Sequence, residues 1–132
     1  MPKVNGILES SLYVNDLERS LKFYRDLFQF QVIAAGDRLV ALEAAKNQIL
    51  LLFKKGASAH FPKGATDGDG ELHLAFSIST QELSDWKEKL IHNNIMIEEE
   101  VVWEYGGTSI YFRDPDRHLI ELATPGVWRN AY

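Results

Sequence analysis

The sequence contains no cysteine, only 4 prolines and no long apolar run. The lack of cysteine excludes disulfide bonds, thiolate metal ligands and a catalytic thiol. The longest apolar run, Ile49–Phe53, is far shorter than the roughly 20 residues that a membrane-spanning helix needs. The start of the sequence also shows no apolar stretch of the kind that marks a secretory signal. We therefore expect a cytoplasmic protein with no membrane segment.

Basic residues are scarce as well. The chain has 14 Lys and Arg residues against 19 Asp and Glu residues, which gives a formal net charge of −5. Proteins that bind nucleic acids need a basic patch or stripe, and an acidic surface is repelled by anionic membranes. The composition thus argues against a nucleic-acid or membrane partner. The length of 132 residues and a hydrophobic fraction of 45% predict one globular domain with its own core.

The pattern of apolar residues in the first half predicts one strand, one helix and three more strands. Residues 7–14 alternate aliphatic side chains with Glu9 and Tyr13, as in a strand with one buried face. Apolar residues recur at helical spacing over 17–28, after an N-cap signal at Asp16. Turn signals then separate three short strands, which we place at 30–34, 38–44 and 48–53.

A different composition marks the segment from about 55 to 70. It is rich in glycine and also contains Pro62, Asp67 and Asp69, so we expect a loop. A long loop without regular structure in a compact domain is often functional. We predict that this segment is either a linker between two halves of the chain or a lid.

The second half repeats the order of the first, with Glu9 and His73 at matching positions. Two βαβββ modules, about 5–55 and about 71–126, are therefore predicted within a single domain 1–132. Helices combined with antiparallel strands indicate an α+β fold. In the second module we place a strand at 71–79, a helix at 80–93, and strands at 95–102, 108–113 and 118–124.

Side chains of the kinds that bind metals stand at comparable positions in the two halves. Glu9 and His73 both lie on the strand face opposite the aliphatic residues. Glu121 stands in the closing strand between Ile120 and Leu122, where burial of an unpaired carboxylate would be unfavourable. Convergence of the three side chains would create a site for a divalent metal ion.

Each of these residues also has an ordinary structural interpretation. Glu9 would usually be a solvated charge, and His73 a hydrogen-bonded core residue. Glu121 could instead form an ion pair with Arg38 or Arg113. The joint placement of the three favours the metal site, but the residues alone leave these alternatives open.

Three segments of the sequence resemble a known superfamily. They are LYVNDLERSLKFYRDLFQFQV at 12–32, GELHLAFSIS at 70–79 and SIYFRDPDRHLIELATP at 109–125. Together they are similar to the vicinal-oxygen-chelate superfamily, which includes glyoxalases, bleomycin resistance proteins and extradiol dioxygenases. The resemblance covers nearly the whole chain. It implies paired βαβββ modules, related to ferredoxin-like half-barrels, that form a cleft. It also implies a homodimer, in which the two modules of a cleft come either from one chain or from two chains that exchange them.

The resemblance also implies a ligand set. The family's metal ligands fall on Glu9, His73 and Glu121, and we take Glu9 and Glu121 as candidate catalytic groups. Glu9 departs from the more usual His, and it could alternatively act as a general base. One imidazole with two carboxylates suits Mn²⁺, Zn²⁺, Ni²⁺, Fe²⁺ or Co²⁺. Leu51 matches Glu121 in the first module, which leaves three ligands and open coordination positions, unlike a four-ligand glyoxalase I.

Five further residues are candidates for a substrate pocket. Tyr13 and Tyr111 should face the same side as the ligands, and Trp103 precedes a Gly-Gly turn that could line a cleft. Arg38 and Arg113 could bind an anionic group. For the aromatic residues, ordinary packing within the sheet is the alternative.

Two functions are compatible with these residues. The first is a metal-dependent lyase, isomerase or transferase, whose metal chelates two neighbouring oxygens of a small substrate. The second is a metal-free binding protein similar to bleomycin resistance proteins, with aromatic residues in its groove. The three ligand-type side chains favour the enzyme.

Overall fold

The computed structural model describes residues 1–129 and 132. The chain divides into two compact units, Met1–Gly70 and Glu71–Tyr132. Each unit contains one four-stranded sheet, and the element order in each is strand, helix and three strands. The predicted α+β fold with two βαβββ modules is therefore confirmed.

The first unit is a mixed sheet with one helix packed against it. The side chain of Asp16 accepts a hydrogen bond from the backbone N–H of Arg19 (3.1 Å) and caps the helix, as predicted. Tyr24 and Leu27 of the helix are buried where it contacts the sheet. In the strand order β1-β4-β3-β2, β1 and β4 run parallel and the other pairs antiparallel. The elements are β1 (Glu9–Val14), α1 (Leu17–Phe28), β2 (Gln31–Ala35), β3 (Leu39–Ala45) and β4 (Gln48–Lys54).

The second unit repeats this topology. Its strand order is β5-β8-β7-β6, with β5 and β8 parallel and the other pairs antiparallel. The fully buried side chains include Leu90 of the helix, with Ile110, Phe112 and Ile120 of the sheet. The elements are β5 (His73–Ser77), α2 (Leu83–His92), β6 (Glu99–Val102), β7 (Thr108–Arg113) and β8 (Leu119–Ala123).

The two sheets share a register as well as a topology. Ser11 lies opposite Leu51 in the first sheet, and Ala75 lies opposite Glu121 in the second. Two residues earlier on the opening strands stand Glu9 and His73. The strand pairing therefore makes Glu9 the counterpart of His73, and Leu51 the counterpart of Glu121.

Several predicted boundaries in the second unit were wrong. Strand β5 begins at His73 rather than 71, because the N–H of Leu72 donates to the Nδ1 of His118 (2.9 Å) instead of a strand partner. The predicted helix at 80–93 begins with a 3-10 turn, Thr80–Glu82, before α2. Strand β6 begins at Glu99 rather than 95, because the chain leaves α2 through the left-handed residue Asn94.

No helix in the described part of the chain is long and apolar enough to cross a membrane.

Candidate functional site

His73 and Glu121 meet on one face of the second sheet. His73 is the first residue of β5, and Glu121 is in the middle of the adjacent strand β8. The Nε2 atom of His73 lies 3.1 Å from the Oε1 atom of Glu121. The His73 side chain is 50% exposed, whereas that of Glu121 is 8% exposed. The pair thus joins a buried carboxylate to an imidazole that ligands can reach.

A backbone carbonyl fixes the orientation and the tautomer of His73. The Nδ1 atom lies 2.9 Å from the carbonyl oxygen of Leu119. A carbonyl oxygen only accepts hydrogen bonds, so Nδ1 must carry the proton and donate it. The other nitrogen then faces a carboxylate oxygen, and the two lone pairs repel each other unless a proton or a metal ion lies between them. A ligating histidine usually has this arrangement, with its second N–H donated to a carbonyl or carboxylate.

Two further side chains hold the second oxygen of the Glu121 carboxylate. The hydroxyl of Ser109 donates to Oε2 (2.5 Å), and the indole N–H of Trp103 donates to the same hydroxyl oxygen (2.8 Å). Ser109 is fully buried. The chain of hydrogen bonds fixes the carboxylate from behind and leaves Oε1 facing His73. Buried carboxylates need such partners, because an unpaired one is strongly unfavourable.

Tyr111 stands opposite Glu121 on strand β7. Its ring centroid lies 6.2 Å from that of His73. Burial, and then the nearby negative charge of Glu121, raise the pKa of the Tyr111 hydroxyl above its ordinary value of 10.0. Tyr111 therefore stays protonated at neutral pH and has a proton to donate beside the pair.

A cavity of about 810 Å³ adjoins these residues within the second unit. His73 and Glu121 form part of its lining, and two of the predicted pocket residues, Trp103 and Tyr111, line it too. The size lies within the range of small-molecule sites, roughly 300–1,000 Å³. Other large side chains in its wall are Phe76, Tyr105, Trp128 and Tyr132.

Two glycines bring opposite walls of the cavity together. A Cβ atom on Gly107, in the β6–β7 turn, would lie 2.5 Å from the carbonyl carbon of Gly126. Gly126 has a φ of +105°, and the N–H of Gly107 donates to its carbonyl (3.1 Å). Because only glycine permits this approach, the segment after β8 lies directly against the turn that carries Tyr105.

Glu9 lies in the first unit, exposed, at the start of β1. Within each unit, no group of three or more His, Asp or Glu side chains of the described residues is gathered closely enough to hold a metal ion. The second unit brings together two of the three predicted ligands, His73 and Glu121. The role of Glu9 remains a prediction.

Tyr13 and Arg38 hold the glycine-rich segment against the first unit. The Tyr13 hydroxyl lies 2.5 Å from the Thr66 hydroxyl oxygen. Arg38 donates to the Ser58 hydroxyl (2.9 Å), and its guanidinium carbon lies 3.8 Å from the centroid of the Phe61 ring. The segment interpreted as a linker or lid is therefore tied down by side chains, and the pocket roles of Tyr13 and Arg38 remain predictions.

Arg113 is engaged away from the cavity. Its guanidinium group contacts the carboxylates of Glu98 (3.1 Å) and Glu71 (3.4 Å), and donates to the carbonyl of Arg117 (3.0 Å). Arg113 is not among the residues that line the cavity, and Glu121 pairs with His73 instead of Arg113. The proposed ion pair between Glu121 and Arg113 was wrong, because the ends of the strands supply closer acids.

Sequence reasoning missed the backbone parts of the site. The carbonyl of Leu119 and the contact between Gly107 and Gly126 are independent of side-chain chemistry, so residue types did not reveal them. The available signal for this contact was the position of the two glycines: Gly107 follows Trp103 and Tyr105, and Gly126 precedes Trp128.

Comparison with known proteins identifies the superfamily. A model of the Glyoxalase/Bleomycin resistance protein/Dioxygenase superfamily matches residues 6–122. The chain belongs to this superfamily. It is 30% identical to the metallothiol transferase FosB of Bacillus licheniformis, over 96% of this chain and 79% of that protein. It is also 30% identical to the fosfomycin resistance protein FosX of Listeria monocytogenes, over 90% of this chain and 89% of that protein.

A solved structure supports the same assignment. Lactoylglutathione lyase from Agrobacterium tumefaciens superposes with a TM-score of 0.90 at 28% identity, covering 97% of this chain and 99% of that one. The predicted superfamily membership and the predicted fold are confirmed by these comparisons. The donor set of His73 and Glu121, with its carbonyl and hydroxyl supports, fits a divalent metal ion.

Proposed function

We propose that this protein is a metal-dependent enzyme that acts on a small substrate with two neighbouring oxygens. The observation that carries the proposal is the geometry of His73. Its Nδ1 atom donates to the Leu119 carbonyl, and its Nε2 atom faces the Glu121 carboxylate at 3.1 Å. This arrangement has a place for a cation between the two side chains.

His73 and Glu121 would hold the metal, and Glu9 is the proposed third ligand, from the same chain or from a second copy in a homodimer. The shared register of the two sheets supports the choice of Glu9, because it is the strand counterpart of His73. A set of one imidazole and two carboxylates suits Mn²⁺, Fe²⁺, Co²⁺, Ni²⁺ or Zn²⁺. Three protein ligands would leave coordination positions for the substrate.

The bound ion would supply a Lewis acid that stabilises negative charge on a substrate oxygen. The residues of this chain would orient the metal ligands and exclude water from the substrate oxygen. Ser109 holds the carboxylate of Glu121 in one rotamer, and Trp103 holds Ser109. Tyr111 lines the cavity opposite Glu121, and its hydroxyl would be the donor closest to the pair for an anionic substrate oxygen.

The names of the relatives suggest the class of reaction. FosB of Bacillus licheniformis is named a metallothiol transferase, and the Agrobacterium tumefaciens protein is named a lactoylglutathione lyase. We therefore propose group transfer or lyase chemistry, with a thiol compound as a candidate cosubstrate. Fold similarity alone does not select the substrate.

Metal binding tests the proposal directly. The full chain, purified without a metal-affinity tag and treated with a chelator, would be titrated with Mn²⁺, Zn²⁺ or Ni²⁺ while its melting temperature is followed. We expect near-stoichiometric binding and a rise in Tm, which are lost in Glu121→Gln and His73→Ala and reduced in Glu9→Gln. Glu88→Gln, an exposed acid on α2, is the matched control. Equal binding by the parent and Glu121→Gln would refute the proposal.

The aromatic wall of the cavity favours a second candidate. A metal-free protein that sequesters an apolar compound would use the same cavity without chemistry. In that case, ligand affinity would be independent of added metal, and Glu121→Gln would leave the affinity unchanged. Metal-dependent affinity would instead support the enzyme.

A further inference from the structure

We propose that the second unit selects substrates whose chelating oxygens are attached to an uncharged aromatic group, and that it disfavours anionic substrates. This inference rests on the proposed function for the position of the chelating oxygens. The choice of an aromatic group rests separately on the walls and the charge of the cavity.

The charge of the cavity argues against an anion. Among the described residues that line it there is no Lys or Arg, whereas the acidic residues Glu104 and Glu121 are both in the lining. Apart from the proposed metal ion, which the chelating oxygens would occupy, a phosphonate or carboxylate on the substrate would find no Lys or Arg in the lining to pair with. An uncharged group needs no such partner.

The basic side chains of the second unit have other partners. Arg113 and Arg117 both contact Glu71, and the ammonium of Lys87 contacts Glu100. Lys89 lies over the ring of Trp86, with its Nζ atom 5.3 Å from the ring centroid.

Arg129 contacts a residue of the cavity wall. Its Nε donates to the hydroxyl of Tyr105 (2.9 Å), so this guanidinium supports a wall residue and does not itself line the cavity. A test of the proposal must therefore include Arg129, since it is the cation that an anionic substrate would recruit.

The shape of the wall favours a flat ring. Trp103 donates to the hydroxyl of Ser109, which in turn donates to the candidate ligand Glu121. The Trp103 ring is therefore held in one orientation in the wall. On the segment after β8, Trp128 is 72% exposed and Tyr132 is 76% exposed. Clusters of large exposed aromatic side chains at a concave surface mark ligand grooves, and aromatic pairs favour stacked or edge-to-face contacts.

The position of the pair sets the orientation of the ligand. His73 and Glu121 lie in the same lining as Trp103 and Trp128, so one small molecule can reach both. The oxygens would lie at the pair and the ring between the aromatic walls. A volume of about 810 Å³ accommodates a ligand of this size.

Three hydroxamates test the choice, because all present the same pair of chelating oxygens. Benzohydroxamate carries a phenyl ring, acetohydroxamate a methyl group, and phosphonoacetohydroxamate an anionic phosphonate. Binding to the Zn²⁺-loaded protein would be measured by calorimetry and by quenching of tryptophan fluorescence. We expect benzohydroxamate to bind about tenfold more tightly than acetohydroxamate. Phosphonoacetohydroxamate should bind no more tightly than acetohydroxamate.

Two variants locate the effect. Trp128→Ala should remove most of the preference for the phenyl probe while the affinity for Zn²⁺ stays unchanged, because Trp128 is exposed and its indole supplies no metal ligand. Trp86→Phe, which removes a tryptophan outside the cavity, should leave the preference intact. Preferred binding of the phosphonate probe, lost in Arg129→Gln, would overturn the proposal. Equal affinities for the phenyl and methyl probes would overturn it too.

Benzamide, which lacks the chelating N–OH group, separates this proposal from the proposed function. If the protein binds no metal but benzamide still quenches its fluorescence, and Trp128→Ala abolishes the quenching, the aromatic site stands and the metal-dependent function fails. If metal binds but the phenyl probe shows no advantage, the function stands and the aromatic selectivity fails.

Discussion

The two units have the same strand ladder but different side chains at its corresponding positions. In the second unit, Tyr111 lies opposite Glu121, and Ser109 stands two residues before Tyr111. In the first unit, Ala41 lies opposite Leu51 at the matching place on the sheet. Glu121 and Tyr111 thus have the aliphatic counterparts Leu51 and Ala41 in the first unit.

The difference shows that the ladder itself does not demand the polar residues. Leu51 is accommodated by the same register that places Glu121. The proposed metal site would account for the carboxylate, its serine support and its tyrosine neighbour, since a buried ion pair is weak evidence for a role in stability. Substitutions that make one unit resemble the other test this explanation.

The largest expected effect is from Glu121→Leu, which gives the second unit the residue of the first. Affinity for metal should fall by more than about 100-fold, since loss of a ligand exceeds the effect of losing a supporting residue. The free energy of unfolding of the metal-free protein should change little, because loss of the buried charge is offset by the buried Ser109 hydroxyl, which loses its acceptor. Calorimetric titration and urea unfolding measure the two effects.

Leu51→Val is the control for this substitution and should leave metal affinity unchanged. A clear loss of stability in Glu121→Leu without loss of metal binding would mean that the carboxylate serves the fold.

The next largest effect is expected from a comparison of two glycines, Gly126 in the second unit and Gly56 in the first. Gly126→Ala should lower the free energy of unfolding by about 2–4 kcal/mol, because it combines a positive φ with backbone atoms 2.5 Å from the new Cβ. Gly56→Ala in the first unit also has a positive φ, but no atom lies within 4 Å of its Cβ, so about 1 kcal/mol is expected. Urea unfolding measures both, and equal losses would contradict the role of close packing at Gly126.

Ser109→Ala should weaken metal binding about 10- to 100-fold, because the Glu121 carboxylate loses a hydrogen bond that orients it. Ser58→Ala removes a buried serine of the first unit, which accepts a hydrogen bond from Arg38, and should leave metal binding unchanged. Calorimetric titration of both variants decides the matter. An unchanged affinity in Ser109→Ala would remove the serine from the site.

The smallest effect concerns an acid of the first unit. The hydrogen bond from Lys55, followed by that from the backbone of Gly70, lowers the pKa of Asp69 below 3.8. A lowered pKa stabilises the fold above pH 3.8, and the contribution is lost as the pH falls through the folded value. Lys55→Gln should return the pKa of Asp69 towards 3.8 in an NMR titration. The pKa of Asp26, which Arg25 lowers, should not move.

Elements with strong local signals could be predicted to the residue. Helix 17–28 was predicted with its observed bounds because Asp16 supplies a cap and the apolar spacing is regular. Strand 108–113 was also predicted with its observed bounds, because turn residues stand on both sides. The facing of His73 and Glu121 followed from strand alternation, which fixes the side of the sheet but not the distance between side chains.

The contacts of the long side chains and the start of β5 depend on partners that are distant in sequence. The guanidinium groups of Arg38 and Arg113 contact Ser58, Glu98 and Glu71, partners that the sequence did not indicate, and the pocket roles of the two arginines stay predictions. Long flexible side chains at strand ends follow the nearest available partner, which local pattern does not reveal. The start of β5 depends on a buried imidazole, His118, which accepts a hydrogen bond where a strand partner was expected.

The carbonyl that orients His73 has a consequence for protein engineering. Leu119 donates to the carbonyl of Leu72, and Ile49 donates in the same way to the carbonyl of Leu8. Position 9 therefore has the carbonyl of Ile49 where position 73 has that of Leu119. A histidine transplanted to position 9 would find its acceptor already in place, so the ligand chemistry can be rewritten one side chain at a time without redesigning the backbone.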